Sequence, residues 1–101
     1  MSYKIIWQFN SEMTYQSEIE YIYLKWNVKE VQKFQKLVLE NLNRLSLNPF
    51  LGNYDSNLKL YFFLISKQTT LYYSINQNAK IVNLLVFWNN QRNPNDLIKL
   101  L

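Results

Sequence analysis

Five side chains in the second half of the chain could do chemistry without a metal ion. Lys59 and Lys67 flank an apolar segment, Tyr72 and Tyr73 fall within the next one, and Arg92 follows the last. Positive side chains stabilise the charge that develops on a phosphate during RNA cleavage, and a Lys or Tyr with a perturbed pKa moves protons. The set therefore predicts metal-free cleavage of RNA as one candidate activity.

Each of these residues also has a purely structural interpretation. Lys59 alternates with Leu58 and Leu60, as an outward strand residue does, and Lys67 fits a hairpin turn. Neighbouring strand residues point to opposite faces, so one of Tyr72 and Tyr73 must enter the core. Arg92 could simply fix the loop before Pro94. For each residue taken alone, the structural interpretation is the stronger one.

The composition excludes most other catalytic designs. The chain has no His and no Cys, so Ser-His-Asp and Cys-His triads and the usual zinc sites are excluded. Its only glycine is Gly52, which leaves no Gly-rich phosphate loop. The glutamates fall on predicted helices and are expected on solvated faces, while Asp55 lies in a loop and Asp96 at a helix cap. We expect no metal, no cofactor and no two-carboxylate hydrolase. The glutamates are Glu12, Glu18, Glu20, Glu30 and Glu40.

Length and charge describe one small basic domain. The chain has 101 residues and a net charge of +4, so we expect a single domain spanning residues 1–101. Residues 1–50 carry a net +1 and residues 51–101 a net +3, which favours an acidic or nucleic-acid partner for the second half. Ordinary solvation of a soluble domain explains the same charge equally well. No apolar run suffices for a membrane span and no signal peptide is evident, so we expect a cytoplasmic protein.

The first half reads as a strand followed by two helices. Residues 3–9 alternate as a strand does, with one strongly apolar face. Asn10 and Ser11 offer an N-cap for a helix over 12–26, whose apolar residues recur at helical spacing: Tyr15, Ile19, Ile22, Tyr23 and Trp26. Asn27 and Glu30 form a capping box for a second helix over 28–47. With almost no linker between them, the helices should pack as an antiparallel hairpin.

The second half reads as a three-stranded meander. Asn48 and Pro49 end the second helix, and residues 50–57 are predicted to be a loop. Strands follow at 58–66, 70–76 and 81–88, joined by connections short enough for hairpins. Asn93, Pro94 and Asp96 favour a short final helix. The predicted class is α+β, β-α-α-β-β-β(-α), with an antiparallel sheet packed on the helical hairpin.

In order and spacing, these segments resemble the RelE/ParE family of toxins from bacterial type II toxin–antitoxin systems. The resemblance covers nearly the whole chain: the strand Ile5-Ile-Trp7, the aromatic helix ending in Lys25-Trp26, and Asn48-Pro49-Phe50 with Gly52 beyond. It continues through Ser66-Lys-Gln-Thr-Thr-Leu-Tyr-Tyr73 and Phe87-Trp-Asn-Asn-Gln-Arg-Asn-Pro94. The last segment, a strand that leads into a basic residue and Asn-Pro, is the most specific part.

Membership of this family would imply a toxin neutralised by a co-expressed antitoxin, in a toxin–antitoxin hetero-oligomer that serves functions such as plasmid stabilisation. RelE-like members cut mRNA on the ribosome, whereas ParE-like members lack the nuclease residues and poison DNA gyrase. Lys59, Lys67 and Arg92 could correspond to the basic nuclease positions. The C-terminal tyrosine or histidine of RelE-like toxins has no counterpart, and the expected arginine position holds Gln91. We therefore expect a ParE-like toxin, with a RelE-like nuclease or a degenerate, purely antitoxin-binding module as alternatives.

Overall fold

The computed structural model describes residues 2–101 and confirms the α+β class. Two helices follow the first strand, and four more strands complete one sheet. The strands are β1 (Lys4–Trp7), β2 (Asn53–Asp55), β3 (Leu60–Leu64), β4 (Thr69–Asn76) and β5 (Ile81–Asn89), and the helices are α1 (Phe9–Lys25) and α2 (Val28–Leu47). Short 3₁₀ turns cover Pro49–Leu51, Pro94–Asp96 and Ile98–Leu100. No helix in residues 2–101 combines the length and apolar character that a membrane crossing requires.

The sheet is mixed, which corrects the fully antiparallel prediction. Its order is β1-β5-β4-β3-β2, and β1 runs parallel to β5 while the other pairs are antiparallel. The parallel pair arises because the helical hairpin and the meander return the chain to the edge where it began. The predicted loop 50–57 was wrong in part, since Asn53–Asp55 adds an edge strand to β3.

The start of α1 differs from the prediction. The helix begins at Phe9, and its first N–H groups donate to the Gln8 carbonyl, so Asn10 and Ser11 are not its cap. The Asn10 side chain instead donates to the carbonyl of Leu100 at 3.0 Å. This bond attaches the C-terminal segment to α1.

The start of α2 agrees with the prediction in its main feature. The Asn27 side chain accepts from the Glu30 N–H at 3.0 Å, as a capping residue should. The reciprocal half of the predicted capping box is absent, because the Glu30 carboxylate pairs with Lys33 at 3.3 Å. The buried stripe of α2 consists of apolar side chains that recur at helical spacing: Phe34, Val38, Leu42 and Leu45.

The main core lies between the helices and one face of the sheet. Leu71, Tyr73, Val82, Leu84 and Phe87 from β4 and β5 pack there against α1 and α2. A β-bulge changes the register of these two strands between Tyr72 and Tyr73. Beyond the end of β1 the edge of β5 has no strand neighbour, and the Thr14 hydroxyl of α1 accepts the Phe87 N–H at 2.9 Å. The helix thus satisfies a strand donor that would otherwise be buried without a partner.

The opposite face of the sheet carries a second, smaller cluster. Val86 and Trp88 from β5 pack there with Leu97 of the C-terminal segment, beside Tyr72. The predicted final helix is replaced by two 3₁₀ turns, although the Asn93 side chain does cap the first of them by accepting from the Asn95 N–H at 3.0 Å. The packing of Leu97 on Val86 and Trp88, rather than helix propensity, determines the path of this segment.

Candidate functional site

The two adjacent tyrosines, Tyr72 and Tyr73, lie on opposite faces of the sheet. Tyr73 is fully buried on the helix side of β4; its hydroxyl donates to the Pro49 carbonyl at 2.8 Å and accepts from the Gly52 N–H at 3.1 Å. Burial raises its pKa to about 12. Tyr72 lies on the opposite face, half-buried, with its ring 6.1 Å from that of Phe62. Tyr73 is therefore the core residue of the pair, and Tyr72 is the one that faces away from the helices.

The Tyr73 hydroxyl also explains the only glycine. A Cβ added at Gly52 would lie 2.6 Å from the Phe62 carbonyl oxygen and would collide with the Tyr73 hydroxyl. Gly52 thus allows the segment after α2 to approach the sheet closely enough for both hydrogen bonds to Tyr73. This contact joins the end of α2 to the core.

The basic candidates lie at two different ends of the sheet. Lys59 was predicted within a strand over 58–66, but it lies in the turn before β3, where its φ of 58° is in the left-handed region. Lys67 lies in the turn after β3 and is exposed. At about 3.3 Å of rise per residue, the two ends of β3, Leu60 and Leu64, lie roughly 13 Å apart. The two lysines lie beyond those ends. The structure does not bring Lys59 and Lys67 into one site.

Arg92 shares the end of the sheet where Lys67 lies. The side chain of Asn90 donates to the Lys67 carbonyl at 3.2 Å, and its N–H donates to the Gln68 carbonyl at 2.7 Å. The exposed Arg92 guanidinium stacks over the Trp88 ring, 4.9 Å from its centre. The loop after β5 and the turn after β3 therefore form one hydrogen-bonded surface that carries both cations.

Glu18 lies in a different environment from the one predicted from the sequence. It was expected on a solvated helix face, but its side chain is only 4% exposed, among Ser11, Thr14 and Ile22 on the buried side of α1. The Thr69 hydroxyl donates to its carboxylate, and Asn89 provides a second side-chain hydrogen bond. Thr14, Glu18 and Ile22 recur every four residues, as positions on one face of a helix do. This spacing indicates that Glu18 is buried, but the prediction gave more weight to its charge than to its position.

The Glu18 carboxyl has a raised pKa. Burial is the largest cause, because a charged group loses solvation in the interior. The hydrogen bonds from Thr69 and Asn89 and the positive charge of Arg92 act in the opposite direction. A buried carboxyl with a perturbed pKa beside a cleft is a common mark of a functional site.

A cleft of about 270 Å³ opens between α1 and the loop after β5. Its lining consists of Ser17, Glu18, Tyr21, Asn89, Gln91 and Arg92. The Lys25 ammonium donates to the Tyr21 hydroxyl at 3.1 Å, and that hydroxyl donates to the Gln91 side chain at 3.0 Å. The Gln91 N–H in turn donates to the Asn89 side chain at 2.9 Å. One hydrogen-bonded network thus runs from Lys25 to Glu18 through the floor of the cleft. We call this recess, with the six residues that line it, the α1–β5 cleft.

The chemistry of the cleft differs from that of a metal site. Within residues 2–101, no three His, Cys, Asp or Glu side chains come together in a way that could hold a metal ion. The cleft is lined by one buried carboxyl group, the Arg92 guanidinium, and amide and hydroxyl groups, and the Lys25 ammonium binds the hydroxyl of Tyr21. Such a set can bind and orient a polar or anionic group.

Large apolar side chains are exposed at the junction of the two helices. Tyr23 is 55%, Leu24 82% and Trp26 48% exposed, although Tyr23 and Trp26 were predicted to be part of the buried stripe. They leave it because Trp26 ends α1 and because Tyr23 lies next to, rather than on, the face that carries Ile22. Contiguous apolar surface of this kind is typical of protein–protein contact sites.

Comparisons with known proteins find similarity in structure only. No family model matches the sequence, and no curated protein matches it. A chain of the toxin–antitoxin complex RelBE2 from Mycobacterium tuberculosis superposes with a TM-score of 0.62 at 13% identity, over 89% of this chain and 100% of that chain. A doubly substituted variant of Escherichia coli toxin RelE in the free state gives 0.59 at 13% identity, over 90% and 86%.

A third structure, the YoeB/ParE toxin from Agrobacterium tumefaciens, gives a TM-score of 0.60 at 9% identity, over 86% of this chain and 98% of that chain. In each of the three comparisons, the superposed region covers at least 86% of both chains. The chain therefore has the fold of the RelE/ParE-type toxins, as the sequence resemblance predicted.

Proposed function

We propose that this chain is the toxin of a type II toxin–antitoxin pair, kept inactive by a co-expressed antitoxin in a cytoplasmic hetero-oligomer. The observation that carries the proposal is the agreement of the fold with three toxin structures over at least 86% of this chain. The exposed apolar side chains at the helix junction support a protein partner.

For the mode of action we propose ParE-like binding to an essential target such as DNA gyrase. The spread of the candidate nuclease residues supports this choice. Lys59 lies at one end of β3 and Lys67 beyond the other, while Tyr73 is buried with its hydroxyl bound to the main chain. A catalytic set needs its members within hydrogen-bond reach of one reacting group, and these residues do not share one.

A RelE-like nuclease acting on ribosome-bound mRNA remains the second candidate. The observation that favours it is the placement of Lys67 and Arg92 at one end of the sheet, on turns joined by hydrogen bonds from Asn90. Tyr72 faces away from the helices, on the side of the sheet where Trp88 packs. The third candidate is a degenerate toxin that only binds its antitoxin.

Paired substitutions separate these functions. Lys59→Ala with Lys67→Ala removes two exposed cations without touching the core. Under the ParE-like proposal, the double variant should arrest bacterial growth on induction as the parent chain does, and co-expression of the adjacent small reading frame should relieve the arrest for both. The measurement is colony survival after induction, with thermal unfolding as the check on folding.

Loss of toxicity in a double variant that unfolds at the parent temperature would overturn the ParE-like assignment in favour of the nuclease. A parent chain that leaves growth unchanged in every host tested would instead leave only the antitoxin-binding module.

A further inference from the structure

A cavity of about 580 Å³ lies on the outer face of the sheet, opposite the helices. Its volume is in the range of sites that bind small molecules. It shares no lining residue with the α1–β5 cleft, and we call it the outer cavity. Its apolar lining includes Leu58, Leu60, Leu85 and Leu100, and the side chains of Gln8 and Asn10 line it at the start of α1.

A β-bulge brings Leu85 into the outer cavity. The register of β5 against β4 shifts between Leu84 and Val86, which leaves Leu85 as an extra residue without a partner on β4. Leu85 and Val86 therefore both lie with the outer cluster, whereas Leu84 remains in the main core. In a regular strand, two successive side chains would point to opposite faces. The bulge thus adds an apolar side chain to the outer face at this point.

The turn before β3 fixes the leucines on that side of the outer cavity. The Asp55 carboxylate accepts from the N–H groups of Asn57 and Leu58 at 2.9 and 3.0 Å. The Asp55 carbonyl accepts from the N–H of Lys59 at 2.7 Å, and these bonds hold Lys59 in the left-handed conformation. Leu58 and Leu60 lie on either side of this fixed residue. A preformed wall lowers the entropy cost of binding a ligand.

Two side-chain amides provide the polar groups of the outer cavity. The Gln8 amide nitrogen donates to the side-chain oxygen of Asn83 at 2.9 Å, and the Asn10 amide nitrogen donates to the Leu100 carbonyl at 3.0 Å. These bonds orient both amides and engage a donor of each. Within residues 2–101, no hydrogen bond to the amide oxygen of Gln8 or of Asn10 is found. Both oxygens are therefore acceptors that a ligand can use.

The lining of the outer cavity favours a neutral ligand. Within residues 2–101, no charged side chain lines it, so a charged head group would lose its solvation without gaining a partner. The amide oxygens would repel a carboxylate, and the positive end of α1, which begins at Phe9, disfavours an ammonium group. A hydroxyl or a carboxamide is neutral and can donate to an amide oxygen.

We propose that the outer cavity binds a small neutral amphiphile, such as a medium-chain alcohol or primary amide. The apolar chain of the ligand lies against Leu58, Leu60 and Leu85, and its head group donates to the amide oxygens of Gln8 and Asn10. Burial of the chain supplies most of the affinity, and the hydrogen bonds orient the ligand.

The free amide oxygens favour this ligand over an apolar side chain from a second copy of the protein. A leucine or phenylalanine side chain would fill part of the outer cavity but carries no donor. It would therefore bury the oxygens of Gln8 and Asn10 without partners, which is unfavourable.

The test is an NMR titration of the isotope-labelled full chain, at a concentration where sedimentation velocity shows a monomer. The probes are octan-1-ol, its isomer heptyl methyl ether, which has no donor, and octanoate, which is charged. We expect octan-1-ol to shift the methyl signals of Leu85 and Leu100 but not those of Val38 in the main core. The ether and octanoate should each bind at least about fivefold more weakly, the ratio that one hydrogen bond provides.

Gln8→Met with Asn10→Leu removes both acceptors. The double variant should bind octan-1-ol about fivefold more weakly and the ether as the parent chain does. Gln8→Met alone keeps the main-chain carbonyl that starts α1 and the bond from Asn10 to Leu100, and should change the two affinities in the same direction. Gln32→Met with Asn43→Leu, at exposed positions of α2, is the matched control and should change neither affinity.

Equal affinities of the parent chain for octan-1-ol and the ether would overturn the proposal, as would tighter binding of octanoate. Unshifted methyl signals of Leu85 and Leu100 would do the same. Sedimentation velocity repeated with octan-1-ol present should still show a monomer. A dimer formed through the same residues would mean that a second copy, and not the amphiphile, covers the outer cavity.

Discussion

At the scale of single residues, Tyr73 and Glu18 are the buried polar groups that join separate elements. Tyr73 connects β4 to the segment after α2, and Glu18 connects α1 to the ends of β4 and β5. Both side chains lie in the interior, where an unpaired polar atom is costly and a paired one specifies a unique arrangement. Substitutions at these two positions measure how much each connection contributes.

Tyr73→Phe removes the hydroxyl and leaves the buried Pro49 carbonyl without its donor. We expect the free energy of unfolding to fall by about 1–3 kcal/mol, the usual cost of such a loss. Urea denaturation measures it. Tyr72→Phe is the matched control, since no hydrogen bond is found for the Tyr72 hydroxyl within residues 2–101, and it should change stability by less than about 0.5 kcal/mol. Equal effects of the two substitutions would contradict the assigned roles.

Glu18→Gln tests the buried carboxyl through the pH dependence of stability. Burial raises its pKa, so the folded chain holds this proton more tightly than the unfolded chain does. The contribution of Glu18 to stability is therefore greatest below its ordinary value of 4.5 and falls as pH rises through the folded pKa. Urea unfolding of the parent chain across the range above that value should show this decline.

The Gln variant cannot lose a proton, so its free energy of unfolding should fall less over the same pH range. Its side-chain oxygen still accepts from Thr69, which keeps the comparison close to one of charge alone. Parallel stability curves for the parent and the variant would show that the Glu18 carboxyl has an ordinary pKa.

The residue scale is also where sequence reasoning failed most. Periodicity places position 18 on the buried side of α1, but a glutamate on a helix is most often solvated, and composition alone does not reveal Thr69 and Asn89 as its partners. Those partners are 51 and more residues away along the chain. Only the fold brings them together.

At the scale of elements, hydrophobic periodicity correctly predicted the long regular helix and strands. The bounds of α2, β4 and β5 agree with the predicted 28–47, 70–76 and 81–88 to within one residue. The edge strand Asn53–Asp55 was not predicted because three residues without alternation carry no periodic signal, and its partner β3 supplies the order. The parallel β1–β5 pair was missed because strand direction depends on the path of the chain and not on local pattern.

The buried stripe of α2 provides the test at this scale. Leu45→Ala removes a fully buried side chain between the helices and the sheet, and we expect a loss of about 2–5 kcal/mol in the free energy of unfolding. Leu39→Ala on the same helix removes a side chain that is 67% exposed and should change stability by less than about 0.5 kcal/mol. Chemical denaturation of both variants makes the comparison, and similar losses would mean that α2 packs through a different face.

At the scale of the whole molecule, the exposed apolar side chains predict an unstable solution state without a partner. Phe9, Leu24, Leu47 and Ile98 are each at least 66% exposed, and they are distributed over both helices and the C-terminal segment. We expect the isolated chain to self-associate and co-expression with the adjacent small reading frame to yield a soluble complex of defined mass. Sedimentation velocity measures both states. A chain that stays a monodisperse monomer at high concentration and forms no complex with the co-expressed protein would contradict the antitoxin model.

The cellular target is the central claim, and pulse-labelling of new DNA and new protein within minutes of induction tests it most directly. The account predicts that DNA synthesis stops first while protein synthesis continues, as gyrase inhibition requires. A prompt halt of protein synthesis with continued DNA synthesis would contradict it and assign the chain to the ribosome-dependent nucleases.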